Sequence, residues 1–87
     1  MYVIRFSEDA QKDLVLLQKK APAAIKKLRA LLVEIAEHPR TGTGQVEQLK
    51  HYKNETWSRR ITREHRLVYE IHEECVRVLV ISTFGHY

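Results

Sequence analysis

Apolar residues at the start of the chain predict a short strand followed by a helix. Residues 2–6 are mostly aromatic or β-branched, which favours a β-strand. Ser7 and the two acidic residues after it are typical of a helix N-terminus, because the hydroxyl caps a backbone N–H and the carboxylates complement the positive helix end. The apolar positions that follow recur at helical spacing: Ala10, Leu14, Leu17 and Ala21.

A second helix is predicted between two prolines. Pro22 suits its first turn, where the missing N–H needs no partner, and Pro39 ends it by restricting His38. Its apolar stripe is Ile25, Leu28, Leu32 and Ile35. The two helices should form an antiparallel hairpin with a turn near residues 20–22. Residues 39–45, with two glycines, read as a loop.

Beyond residue 45 the hydrophobic pattern changes to a period of two, which predicts strands. In the first alternation Trp57, Arg59 and Ile61 fall on one side, and Ser58, Arg60 and Thr62 on the other. After a break near residues 63–64, a second alternation has Leu67, Tyr69 and Ile71 on one side. Residues 72–74 read as a turn, and residues 76–81 as a well-covered strand.

The order of these elements predicts an α+β fold. A strand, two helices and three or four further strands imply a helical hairpin packed on one face of a mainly antiparallel sheet of four to five strands. The other face of the sheet should then be open to water. At 87 residues the chain is expected to form a single domain spanning residues 1–87.

The positive charge of the chain is confined to one stretch. Residues 40–66 contain seven Lys and Arg against three Glu, which accounts for the whole formal charge of +4. A local cationic excess without an apolar amphipathic face favours a nucleic acid over a membrane as the partner. A merely solvated pair of basic strands is the alternative on charge alone.

Several classes of protein are excluded by what the sequence contains. No run of hydrophobic residues exceeds four, so a membrane span is not expected. The single Cys75 cannot form an intrachain disulfide, is expected to be a buried inert thiol, and suits a reducing cytoplasm. The five histidines show no metal-ligand spacing, so a metal site is not expected. A chain of 87 residues has no room for a separate cofactor domain, and no cofactor is expected.

Polar residues in the basic half could form a site for cutting RNA. Arg60 and Arg66 fall on strands joined by a short connection, with Glu47 and Lys50 at the entry to the same sheet. The chain ends on a histidine, His86, and a tyrosine. Cleavage by the ribose 2′-OH requires a base, a cation that stabilises the charge on phosphorus, and an acid for the leaving 5′-oxygen.

Three blocks of the sequence resemble the YoeB family of bacterial toxins, within the RelE/ParE superfamily of toxin–antitoxin modules. The blocks are residues 47–51 (EQLKH), 57–62 (WSRRIT) and 64–69 (EHRLVY), and the chain ends in the same His-Tyr pair. The similarity covers essentially the whole chain. It implies a RelE-like fold, similar to that of small microbial ribonucleases.

The resemblance also implies roles for individual residues. Glu47 matches the general base, Arg66 the residue that stabilises the phosphate in the transition state, and His86 the general acid. The terminal aromatic that helps to hold the mRNA matches Tyr87. Supporting or RNA-binding positions match Lys50, Glu64, Arg60 and Arg59.

The activity implied by the resemblance is that of a ribosome-dependent endoribonuclease. Such toxins cut mRNA in the ribosomal A site without a metal or cofactor. They form homodimers, are inhibited by a YefM-like antitoxin, and reach operator DNA only through that antitoxin.

Two other functions remain open on the sequence. One is a non-catalytic inhibitor of DNA gyrase of the ParE kind, and the other is an RNA-binding protein that blocks translation without cutting. The chain also departs from many relatives at Gly85, where they carry an aromatic residue before the terminal His-Tyr. That departure is expected to loosen the end of the chain.

Overall fold

The computed structural model describes residues 1–85, so His86 and Tyr87 lie outside the description. Over this range the fold is two helices and one five-stranded sheet, as the α+β prediction requires. The elements are β1 (Val3–Phe6), α1 (Glu8–Lys20), α2 (Ala24–Glu37), β2 (Glu47–Leu49), β3 (Thr56–Arg60), β4 (Arg66–His72), a short 3-10 helix (Glu73–Cys75) and β5 (Arg77–Ser82).

The sheet has the strand order β1-β5-β4-β3-β2. Strands β2 to β5 pair as antiparallel neighbours, whereas β1 runs parallel to β5 at the edge. The two parallel strands are far apart in sequence, because the chain passes through both helices and strands β2 to β4 before it returns to β1 as β5. The sheet is therefore mainly antiparallel, as predicted.

The helices begin and end close to the predicted positions. The Ser7 hydroxyl accepts a hydrogen bond from the Ala10 N–H and caps α1. Pro22, however, lies in the turn before α2 rather than in its first turn, and its carbonyl accepts from the Ile25 N–H. That turn is closed by a tight bond between the Ala24 N–H and the Ala21 carbonyl, which leaves the proline outside the helix.

The core lies between the helical hairpin and one face of the sheet. In α2 the buried side chains are Ala24, Leu28, Leu31 and Ile35. The predicted stripe missed Leu31, which is buried, and included Ile25 and Leu32, which are only half-buried. The strands contribute Leu67, Tyr69, Ile71, Val78 and Val80 to the same core.

The other face of the sheet, which we call the helix-free face, carries the alternate residues of β2, β3 and β4. Glu47 pairs with Ser58, Ser58 pairs with Val68, and Arg60 pairs with Arg66, so these side chains share one face. The expectation that this face is open to water is wrong at its centre, where Ser58 and Val68 are buried and Arg66 is 7% exposed. The physical reason at Ser58 is that the Arg66 side chain lies across it.

The sequence also predicts a buried Cys75 and no membrane-spanning segment. Cys75 is exposed at the end of the 3-10 helix, so the expected buried thiol is wrong. No helix within residues 1–85 is long and apolar enough to cross a membrane.

Candidate functional site

Arg66 is held at the centre of the helix-free face. It is the first residue of β4 and pairs with Arg60, the last residue of β3. Its Nε donates to the Ser58 Oγ at 3.1 Å, and its Nη2 donates to the Gln45 carbonyl at 3.0 Å. Contacts on two sides fix the plane of the guanidinium, which suits a group that must meet a phosphate in one orientation.

Gln45 contacts both arginines of this pair. While its carbonyl accepts from Arg66, its side-chain Oε1 accepts from the Arg60 Nε at 2.9 Å. The residue has a φ of +52°, in the left-handed region, which aims carbonyl and side chain toward the two arginines. Arg60 also lies within reach of the Arg63 carbonyl, 3.5 Å from its Nη1.

The loop that carries Gln45 (residues 41–45, here the glycine loop) is pressed tightly against β3. The Arg60 N–H donates to the Gly44 carbonyl at 2.6 Å. A Cβ on Gly44 would lie 3.2 Å from both the Arg59 Cβ and the Arg60 carbonyl oxygen, and the φ there is +93°. Glycine therefore permits the close approach that places Gln45 beside the arginine pair.

Arg59 faces away from this site, into the helix-covered side of the sheet. It is fully buried, and its guanidinium donates to the Tyr69 hydroxyl (3.0 Å), a carboxylate oxygen of Glu34, and three backbone carbonyls. Those carbonyls belong to His38 (2.7 Å), Thr41 (2.8 Å) and Thr43 (3.3 Å). All five N–H donors of the side chain are thus engaged.

This position corrects the RNA-binding role that the resemblance implied for Arg59. The alternation along β3 turns its side chain toward the helices, and no surface of it remains for a ligand in the described structure. Arg59 instead stabilises the glycine loop from the helix-covered side of the sheet, by donating to the Thr41 and Thr43 carbonyls. The hydrogen bonds that the Thr43 backbone N–H and hydroxyl donate, followed by the Arg59 charge, hold the pKa of Glu34 below its usual range. Burial raises the pKa of Tyr69.

Glu47 and Arg66 lie on either side of Ser58. Glu47 is exposed on the edge strand β2, directly across from Ser58, while Arg66 reaches the Ser58 hydroxyl from β4. The structure therefore brings the predicted base and the predicted phosphate-binding residue to one part of the sheet. Lys50 lies just beyond β2, in an open cleft of about 410 Å³ lined by residues 48–55. Glu64 is exposed in the turn between β3 and β4.

The C-terminal segment (residues 83–85) runs back to the start of β4. The Phe84 ring stacks on His65 with centroids 4.4 Å apart, and the Gly85 N–H donates to the His65 Nδ1 at 2.9 Å. The Arg66 N–H donates to the Gly85 carbonyl at 3.0 Å. The predicted acid, His86, and the predicted positioning residue, Tyr87, lie outside the described residues.

Some of the positive side chains of residues 40–66 are paired with carboxylates of the chain, and others are exposed. The Arg40 guanidinium binds Glu55 and Glu73, each at 2.8 Å, and thereby lowers the pKa of Glu55. Arg59 is buried against Glu34. The exposed positive residues of the segment include Lys50, Lys53 and Arg63. At least two of the seven cations, Arg40 and Arg59, are thus paired with carboxylates of the chain itself, and the charge left to meet a polyanion is smaller than the charge count suggested.

Sequence reasoning missed Gln45, Ser58 and His65 as parts of this region. Ser58 could have been found, because it alternates onto the same face as Arg60. Gln45 and His65 act through contacts between distant segments, for which a single sequence holds no signal. Within residues 1–85, no group of three or more His, Cys, Asp or Glu is placed to hold a metal ion.

Comparisons with known proteins identify one family. Residues 6–87 match the family model of the YoeB-like toxin of bacterial type II toxin–antitoxin systems. The chain is 35% identical over 82 residues to Toxin YoeB of Escherichia coli K12, covering 94% of this chain and 95% of that one. It is 38% identical over 84 residues to Toxin YoeB of Synechocystis, with coverage of 97% and 95%.

Solved structures agree with the sequence matches. The YoeB/ParE toxin of Agrobacterium tumefaciens superposes with a TM-score of 0.88 at 30% identity, covering 98% of this chain and 99% of that one. The YoeB dimer of Staphylococcus aureus gives 0.84 at 33% identity, with coverage of 99% and 98%. The heterotetrameric YoeB–YefM complex of the same organism gives 0.81 at 33%, with coverage of 100% and 99%.

Proposed function

The chain belongs to the YoeB-like toxins of bacterial type II toxin–antitoxin systems, and from this membership we propose that it is a ribosome-dependent endoribonuclease that cuts mRNA in the A site. The observation that carries the proposal is the placement of Glu47 and Arg66 around Ser58. A carboxylate and an oriented guanidinium at one place are two of the three groups that cleavage by a ribose 2′-OH needs.

In the proposed reaction, the Glu47 carboxylate removes the proton from the 2′-OH. The 2′-oxygen then attacks phosphorus and the bond to the 5′-oxygen breaks, so that the products are a 2′,3′-cyclic phosphate and a 5′-OH. His86 donates the proton that the leaving 5′-oxygen takes up. The Arg66 guanidinium stabilises the negative charge that develops on the phosphoryl oxygens.

The remaining predicted residues hold the substrate in this proposal. Lys50 and Arg60 supply positive charge for the RNA backbone, Glu64 supports the site from the β3–β4 turn, and Tyr87 contacts the mRNA. Gln45 accepts a hydrogen bond from each of Arg60 and Arg66. This shared acceptor supports the role proposed for the two arginines, because it holds their guanidinium groups side by side.

The partners follow from the relatives. Because the Staphylococcus aureus structures are of a YoeB dimer and a YoeB–YefM complex, we propose a homodimer and a YefM-like antitoxin for this chain. Operator DNA would be bound only through the antitoxin. The mRNA substrate and the ribosome place the activity in the cytoplasm.

Primer extension on mRNA in a cell-free translation system tests the function. The protein should produce cuts within codons, and Glu47→Gln and His86→Ala should abolish them. Glu37→Gln is the matched control, since Glu37 is exposed at the far end of α2, and its cuts should equal those of the unchanged protein.

Other outcomes identify the other functions. Arrested translation with intact mRNA would contradict cleavage and indicate an RNA-binding translation blocker. Loss of gyrase supercoiling with intact mRNA and continued translation would indicate a gyrase inhibitor. Equal cutting of naked mRNA would contradict dependence on the ribosome.

A further inference from the structure

The C-terminal segment is attached to the body of the protein at successive residues. Thr83 donates its N–H to the Asp13 Oδ2 at 3.3 Å, at the middle of α1. Two residues later, Gly85 donates its N–H to the His65 Nδ1 at 2.9 Å and accepts from the Arg66 N–H at 3.0 Å. The segment between them is fixed by the stacking of Phe84 on the His65 ring.

His65 is itself held in place by hydrogen bonds of its backbone. Its N–H donates to the Thr62 Oγ1 at 3.1 Å, and its carbonyl accepts from the N–H groups of Ile61 (3.0 Å) and Thr62 (3.1 Å). Two backbone–backbone bonds and one bond to a side-chain hydroxyl thus close the turn around it. The ring of His65 is therefore a fixed point against which the end of the chain is placed.

We propose that His65 is a positioning residue for the reaction, acting through the C-terminal segment. The His65 ring holds Gly85 next to the Arg66 backbone, and so fixes the position from which the chain continues to residue 86. The inference rests on the proposed function, because the residue to be positioned is the acid assigned to His86. In the proposed reaction, His65 contacts neither the substrate nor the reacting atoms.

The chemistry of the contact defines what His65 must supply. A ring nitrogen that accepts from a backbone N–H carries no proton, so the proton of the neutral ring is on Nε2. The ring face supplies the second contact, the stack with Phe84. Gly85 also suits the site, since its φ of +80° disfavours other residues. The anchor holds Gly85 at both its N–H and its carbonyl. The loosening expected from sequence concerns His86 and Tyr87, which lie outside the described residues.

Two substitutions separate the acceptor from the stack. His65→Phe keeps an aromatic face for Phe84 and removes the acceptor, whereas His65→Asn keeps an acceptor oxygen near the Nδ1 position and removes the face. His72→Phe is the matched control, because His72 lies at the opposite end of β4 and binds Glu70 instead.

The first readout is amide hydrogen exchange of Gly85, measured by NMR without mRNA or ribosome. His65→Phe should accelerate exchange at Gly85 about 10-fold, the factor expected for the loss of one hydrogen bond. Exchange at Val68 and Val78, within the sheet, should stay unchanged. His65→Asn should restore part of the protection, and His72→Phe should leave Gly85 as it is.

The second readout is cleavage in the translation system. His65→Phe should lower kcat about 10-fold with little change in KM, since the acid is misplaced while the RNA-binding surface is intact. His65→Asn should recover part of the loss. A release assay with carboxypeptidase should show faster removal of the last residues in His65→Phe than in His65→Asn.

The outcomes separate this inference from the function on which it rests. Unchanged Gly85 exchange in His65→Phe would overturn the anchor. Faster exchange with unchanged kcat would overturn the positioning role. If the unchanged protein cuts no mRNA, the proposed function fails and the catalytic part of the inference fails with it, whereas the exchange measurement still decides whether the anchor exists.

Discussion

Arg59 and Arg60 are neighbours in one strand, yet they belong to two different regions of the molecule. Arg59 is fully buried on the helix-covered side, where five acceptors surround its guanidinium. Arg60 lies on the helix-free face beside Arg66 and contacts Gln45. The same residue type is therefore buried among acceptors in one position and partly exposed beside a second arginine in the next.

The difference shows that an arginine of a basic segment can be buried in the fold or lie at the surface. Counting the charges of the sequence does not distinguish these two cases. A buried arginine must have its donors satisfied, and here the acceptors are carbonyls of the glycine loop. That loop in turn places Gln45 against the arginines of the opposite face. The buried charge thus shapes the site without contacting it.

The largest expected effect is loss of stability on Arg59→Met. Removing the guanidinium leaves buried carbonyls and the Glu34 carboxylate without their partner, so we expect a loss of about 3–5 kcal/mol in the free energy of unfolding. Arg60→Met, the matched control, should cost about 1 kcal/mol or less, because Arg60 is only partly buried. Urea unfolding measures both. Equal losses in the two variants would refute the division between the faces.

The next effect is on catalysis and concerns Arg66→Lys. Lysine keeps the charge but cannot reproduce the fork that binds Ser58 and Gln45, so the orientation toward phosphate is lost. We expect cleavage to fall about 10²–10³-fold, as for removal of one transition-state donor. Arg63→Lys, in the exposed turn, should cleave normally. Full activity of Arg66→Lys in the primer-extension assay would show that only charge is needed there.

A smaller loss is expected for Gly42→Ala. A Cβ at Gly42 would overlap the Glu34 Oε1, and the φ of +129° already disfavours a side chain. The Glu34 carboxylate must move and weaken its contacts with Arg59 and Thr43, which we expect to cost about 1–3 kcal/mol. Gly85→Ala is the comparison, since φ is +80° but no atom lies within 4 Å of its Cβ. Thermal melting should show a larger drop for Gly42→Ala; the reverse order would mean that backbone conformation, not the Glu34 contact, dominates.

The smallest effect is the pH dependence of stability that Glu34 and Glu55 introduce. Their folded-state pKa values are lowered, by the Thr43 bonds at Glu34 and by Arg40 at Glu55. Their contribution is therefore fully present above the unfolded pKa of about 4.3 and is lost as pH falls through the lower folded values. About a third of each side chain is exposed, at 31% and 32%, so solvent reduces the size of the effect.

Urea unfolding between pH 3 and pH 7 measures this dependence. Glu34→Gln should flatten the acid limb, and Glu37→Gln, at an exposed position of the same helix, should not. An acid limb of equal slope in both variants would remove Glu34 as a cause.

Periodicity predicted the face on which each β3 residue lies, and it did so for a physical reason: successive side chains of a strand alternate. It separated Arg59 from Arg60 even though the family resemblance grouped them as RNA-binding. The helix-face pattern was less exact at Leu31, because small rotations of a helix change which of several apolar residues is deepest. The acceptors around Arg59 come from a loop and a helix end far away in sequence, so only the folded chain reveals them.

The parallel pairing of β1 with β5 has a consequence for the order of events during synthesis. Strand β5 lies between β1 and β4, and it is the last strand to be made, although its partner β1 is the first. Until β5 has emerged, β1 has no neighbour in the sheet, and the core lacks Val78 and Val80. A nascent chain is thus unable to complete its fold before β5 has been made. For a protein proposed to attack translating ribosomes, this topology delays activity until β5 has left the ribosome that makes it.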